Sequence, residues 1–87
     1  MREAPIEKKV TEFAKAKGWI SYKWVSPNYR GVPDRLFFKA SQIIIIEFKA
    51  TGRKPSKLQA HIHKKLEKEG FEVHVIDSIE DGIALFA

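Results

Sequence analysis

Three residues able to do chemistry share the stretch RGVPDRLFFKASQIIIIEFKA, residues 30 to 50: Asp34, Glu47 and Lys49. Glu47 and Lys49 follow directly on the isoleucine run Ile43 to Ile46, which reads as a buried strand. Charges at the end of such a strand are costly unless paired, ligated or used. Side chains alternate along a strand, so Glu47 and Lys49 share a face. A symmetric hairpin turning at Ala40 and Ser41 would set Asp34 directly opposite Glu47. Facing residues of an antiparallel pair hold their Cβ atoms about 4.5–5.5 Å apart. Two carboxylates that close repel unless a proton or a cation sits between them. Two oxygen donors with open positions beside them suit Mg²⁺, and Lys49 on the same face could hold or help deprotonate a metal-bound water. The plainer alternative makes Glu47 and Lys49 a rim ion pair and Asp34 a turn residue after Gly31-Val32-Pro33. The register that joins all three favours a site.

The surrounding pattern predicts the elements that must position them. Residues 3 to 17 carry Ile6, Val10, Phe13 and Ala14 at helical spacing, with Pro5 in the first turn and Gly18 at the stop. Residues 19 to 25, WISYKWV, are rich in aromatic and β-branched types and read as a strand, and SPNYRGVP reads as a loop. Residues 34 to 39 and 42 to 49 form two strands, the second central because its isoleucine run implies burial on both faces. After the loop TGRKP, Ser56 caps a second helix striped by Leu58, Ile62 and Leu66 and ended by Gly70. FEVHVI, 71 to 76, alternates as a short strand, and residues 78 to 86 make a last short helix behind Ser78. The order α-β-β-β-α-β-α gives an α/β fold, a mixed and mainly antiparallel sheet flanked by helices.

At 87 residues the chain is expected to be one domain with a small core. The net charge of +5, from 16 Lys and Arg against 11 Asp and Glu, favours a polyanionic partner. Cysteine is absent, which excludes disulfides and Cys-ligated zinc and is compatible with a reducing compartment. No apolar run approaches the ~20 residues needed to span a bilayer, and MREAPIEKKV lacks an apolar signal stretch. The expectation is an intracellular, cytoplasmic protein with no membrane partner.

GVPD followed by IIEFK resembles the PD-(D/E)xK nuclease superfamily. The longer strings EAPIEKKV, YKWVSPNYRGVPDR and EFKATGRKPSKLQ resemble the virus-type replication-repair nuclease family, VRR-NUC, from Glu3 to about Ile76. The resemblance implies an αβββαβ nuclease core that uses Mg²⁺ or Mn²⁺. It implies Asp34 and Glu47 as metal ligands, helped by the Phe48 carbonyl, and Lys49 orienting the attacking water. It also implies a ligand from the first helix. Glu7, beside Ile6 and one turn from Val10, is favoured over Glu3, whose place at the helix start is explained by the dipole alone. Gln59 matches the glutamine that follows the ExK strand in the family, and it also completes a capping box with Ser56. Stand-alone members imply a homodimer that cuts branched DNA such as four-way junctions, in phage or prokaryotic replication and repair.

Around this constellation Lys23, Ser26, Arg30, Arg53, Lys54 and Lys57 are expected to meet DNA phosphates. Trp24, Tyr29 and Arg35 stand near them, Arg35 weakest because it alternates away from Asp34. His61, His63 and His74 are read as surface or packing residues rather than a metal cluster, and Trp19, Trp24, Phe37 and Phe38 as core or dimer contacts. Rival readings are a non-catalytic DNA-binding module, a structural or assembly protein, and a nuclease with another preference such as flaps or nicking.

Overall fold

The computed structural model describes residues 1–87. Its elements are α1 (Glu3–Ala16), β1 (Ile20–Lys23), β2 (Arg35–Lys39), β3 (Gln42–Phe48), α2 (Lys57–Lys68), β4 (Val73–Ile76) and α3 (Ile79–Ala84). The four strands lie in the order β1-β2-β3-β4, antiparallel except for the parallel pair β3 and β4. Parallel neighbours need a crossover, and α2 supplies it. The mixed, mainly antiparallel sheet and its flanking helices match the architecture expected from the sequence, and β3 is interior.

The hairpin between β2 and β3 sets the register. Ala40 and Ser41 both have positive φ, 50° and 65°, the conformation of a two-residue turn whose twist suits antiparallel strands. Pairing then runs from Lys39↔Gln42 out to Arg35↔Ile46. The strands are shorter than their apolar patterns: β1 begins at Ile20 rather than Trp19 and stops at Lys23, and β4 begins at Val73 rather than Phe71. Trp19 instead packs edge-on against Phe86, ring centroids 5.2 Å apart.

The two faces of the sheet are covered unequally. On one, α1 and α3 pack Ile6, Val10, Ala14 and Phe86 against Phe37, Ile46, Phe48 and Ile76. On the other, α2 lies over only part of the sheet. Ile20, Tyr22, Phe38 and Ile43 face that side and remain exposed. The isoleucine run is therefore buried on both faces only from Ile45 onward, and Ile43 is 40% exposed. No helix is long and apolar enough to cross a membrane.

Candidate active site

Asp34 follows the kinked GVP segment and precedes the first paired residue of β2. Gly31 permits that approach, with a φ of +88° and no room for a methyl group: a Cβ there would sit 2.9 Å from Leu58 Cγ. The Asp34 N–H donates to the Ile46 carbonyl at 3.0 Å, and its Oδ2 accepts from the Phe48 N–H at 2.7 Å. The aspartate is thereby fixed to the end of β3, beside Glu47.

Glu47 is 2% exposed. Its Oε2 accepts from Gln59 Nε2 at 3.0 Å and lies 3.5 Å from Lys49 Nζ, while its buried Oε1 has no hydrogen-bond partner. Burial, and then the Asp34 carboxylate, push its pKa from the ordinary 4.5 to about 7 against the pull of Lys49. Burial also raises Asp34, opposed by the Phe48 N–H. Two desolvated carboxylates side by side, one with an orphaned oxygen, are the arrangement that a divalent cation relieves.

Gln59 closes the capping box and also reaches Glu47. Its Oε1 accepts from the Ser56 N–H at 2.9 Å, and the Ser56 hydroxyl accepts from the Gln59 N–H at 3.1 Å, closing the capping box. Its amide nitrogen is then free to hold Glu47. The cap fixes the rotamer that delivers the other end of the side chain.

Both glutamates of α1 act electrostatically with Asp34, through different surroundings. Glu7 lies on the α1 face of the sheet, where Arg35 Nε donates to it at 2.8 Å and Lys23 Nζ stands at 3.8 Å. Arg35 does alternate away from Asp34, and for that reason it meets Glu7, with a second hydrogen bond to Ser21 at 3.3 Å. Glu3, one turn earlier, lies by the end of the sheet: desolvation and the nearby Asp34 raise its pKa, and Lys49 lowers it. Arg35 was legible only as a basic residue, because its partner is set by packing.

Arg53, Lys54 and Lys57 are exposed, carry no ion pair and cluster at the N-terminus of α2, whose first turn has no acidic residue. A helix N-terminus favours anions, and three free cations add to it. Arg30 is exposed in the loop before β2, and the Ser26 carbonyl there accepts from the Tyr29 N–H at 3.2 Å. Lys23 stands beside Glu7 on the α1 face, and its charge lowers the Asp34 pKa. Of the histidines, His61 is exposed and His74 partly so, whereas His63 is buried with its Nε2 unpartnered.

No three Asp, Glu or His side chains form a ready metal cluster. A cation would rest on Asp34 and Glu47, with the adjoining carbonyl of Phe48 and water completing its shell. The donors are all oxygen and the buried Oε1 lacks any partner, so the residues fit Mg²⁺ or Mn²⁺.

No family model matches the chain. It is 44% identical over 79 residues to "Putative nuclease p44" of Acyrthosiphon pisum secondary endosymbiont phage 1, a span of 90% of this chain and 85% of that protein. Among solved structures it is similar to one described as "VRR_NUC domain", with a TM-score of 0.87 and 27% identity over 95% of this chain and 91% of that one.

Proposed function

Since the chain belongs to the VRR-NUC nuclease family, we propose that it is a metal-dependent DNA endonuclease whose site is Asp34, Glu47, Lys49 and Gln59. The observation that carries this reading is half-buried Asp34 beside buried Glu47, whose Oε1 is unpartnered, with Lys49 alongside. A bound divalent cation supplies an activated water and neutralises charge at the scissile phosphate. Asp34 and Glu47 would hold it, with the Phe48 carbonyl, and Mg²⁺ and Mn²⁺ are the candidates. Lys49 orients the attacking water and steadies the developing negative charge. Gln59 fixes the Glu47 carboxylate through Oε2 and leaves Oε1 for the metal. Glu3 takes the place of the helix carboxylate, because Glu7 is held by Arg35.

Arg30, Arg53, Lys54 and Lys57 meet the DNA backbone, which gives affinity without sequence readout. Ser26 adds its hydroxyl from the loop that carries Arg30. Lys23 contributes from the sheet edge.

The substrate is branched DNA of the four-way-junction kind, cut by a homodimer of single-domain protomers in the cytoplasm during phage or prokaryotic replication and repair. The open apolar side of the sheet, with Ile20, Tyr22, Phe38 and Ile43 exposed, supports a second copy. Two sites related by a two-fold axis suit paired cuts in a symmetric junction.

The test is cleavage of labelled four-way junction, flap and linear duplex with Mg²⁺, Mn²⁺ or EDTA, wild type beside Lys49→Ala. Metal-dependent cutting, fastest on the junction and steeply reduced in the variant, is expected. Preference for the flap would change the substrate class. Salt-sensitive binding without cutting would replace the enzyme by a DNA-binding module.

A further inference from the structure

A helix that packs on a sheet ordinarily buries its leucines and isoleucines. Here α2 half-buries Ile62 and Leu66 and leaves Leu58 45% exposed, and its one fully covered residue is His63, 6% exposed. Burying an imidazole nitrogen without a partner costs about 1–3 kcal/mol, and His63 Nε2 is such an atom. An aliphatic side chain would pack there without that cost. Helical spacing sets the ring on the side of α2 that meets the site. His63 lies one helical turn after Gln59, so the two share a face of α2, and Gln59 already touches Glu47. The charges of Lys49 and Asp34 both act on the His63 ring, as does that of Glu67 on its own helix. Burial lowers its pKa, which keeps a ring nitrogen available as an acceptor.

Lys49 is the group in need of a hold. Its ion pair with Glu47 is long, 3.5 Å, and falls on the same Oε2 that Gln59 occupies at 3.0 Å. An ammonium with three donors and one shared, distant acceptor is loosely placed.

We propose that His63 is a positioning residue for Lys49: its buried Nε2 has no partner in this structure, and a shift of the Lys49 side chain off Glu47 Oε2 would let the ammonium donate to it and be held toward the phosphate. The proposal rests on the nuclease reading for its consequence in turnover, but the hydrogen bond itself is testable without cleavage. The α2 helix then presents two polar groups to the site, one to each catalytic partner: Gln59 to Glu47 and His63 to Lys49.

The experiment compares wild type, His63→Leu and His63→Gln. Leucine fills the space without an acceptor, and glutamine restores one. The Lys49 ammonium resonance is followed by NMR with Ca²⁺ present, alongside Ca²⁺ affinity, thermal stability in EDTA and steady-state cleavage with Mg²⁺. Wild type and His63→Gln are expected to slow exchange of the Lys49 ammonium protons, and His63→Leu to lose that protection. The leucine variant is expected to be as stable as wild type or more so, with kcat down roughly 10–100-fold and both KM and Ca²⁺ affinity within about twofold. Glutamine should recover most of kcat. If His63→Leu fails to fold, His63→Met carries the same comparison. Equal Lys49 protection in wild type and the apolar variant, or full kcat in that variant, would overturn the proposal and leave His63 as packing. A wild type that cuts no DNA would overturn the nuclease reading instead, while the NMR comparison would still decide the His63–Lys49 contact.

Discussion

The two faces of the sheet obey different physics. The α1/α3 face is a closed apolar core in which Ile6, Val10, Ala14, Phe37, Ile46 and Phe48 are all fully buried. The α2 face buries Glu47 and His63 beside Ile45 and Val73, and leaves Ile20, Tyr22, Phe38 and Ile43 in water. The first face holds the fold together, and the second carries charge and chemistry at one end and an unpartnered apolar surface at the other. The comparison teaches that this small domain concentrates its apolar burial on one side, which leaves the other able to carry costly polar burial.

The largest effect expected from breaking that division lies on the closed face. Phe37→Ala should cost about 3–5 kcal/mol, enough to unfold most of a marginally stable domain, as denaturant titration would show. A comparable apolar loss on the open face, Tyr22→Ala, should change monomer stability by no more than about 0.5 kcal/mol. Its effect should appear in sedimentation as a weaker dimer, and an unchanged association state would remove that face from the interface.

A second way to sharpen the contrast uses pH. Glu47 titrates near 4.5 when unfolded and near 7 when folded, so the folded protein holds a proton that the unfolded chain releases between those values. Stability should therefore fall as pH rises from about 4.5 to about 7, with Asp34 acting in the same sense. Thermal unfolding in EDTA should show the decline, and Glu47→Gln should flatten it. Mutations confined to the closed face should leave the slope as it is.

A more modest effect than that of Phe37→Ala concerns the turn that sets the register. Ala40 and Ser41 occupy left-handed backbone that costs about 1–2 kcal/mol per residue without glycine or asparagine. Replacing them by Asn-Gly should stabilise the protein by about 1 kcal/mol with cleavage unchanged, measured by chemical denaturation and a single-turnover assay.

The same division explains what was readable from the sequence. Periodicity gave the helices and strands, and the hairpin register followed from one assumption about Ala40 and Ser41 that the pairing bears out. Asp34, Glu47 and Lys49 are local to that hairpin and could be placed together from it. Glu7 and Arg35 could not, because their contact depends on how α1 crosses the sheet. Helical spacing made Glu7 the better candidate to look inward, and it does, with its carboxylate held by Arg35 and its charge acting on Asp34. His63 escaped for another reason. Its spacing from His61 speaks against a shared face, whereas the informative spacing is the one to Gln59. The exposure of Tyr22 and Phe38 was equally hidden, since an apolar strand pattern does not show which positions its own helices will cover.

The central claim is that Asp34 and Glu47 form a cation site that drives phosphodiester cleavage. Its most direct test pairs calorimetric Ca²⁺ titration with Mg²⁺-dependent cleavage in wild type and Glu47→Gln. The variant should stay folded, lose most Ca²⁺ affinity and cut the preferred DNA at least about 10³-fold more slowly, as loss of a metal-activated nucleophile requires. A folded Glu47→Gln protein that binds Ca²⁺ and cleaves as wild type does would contradict the account.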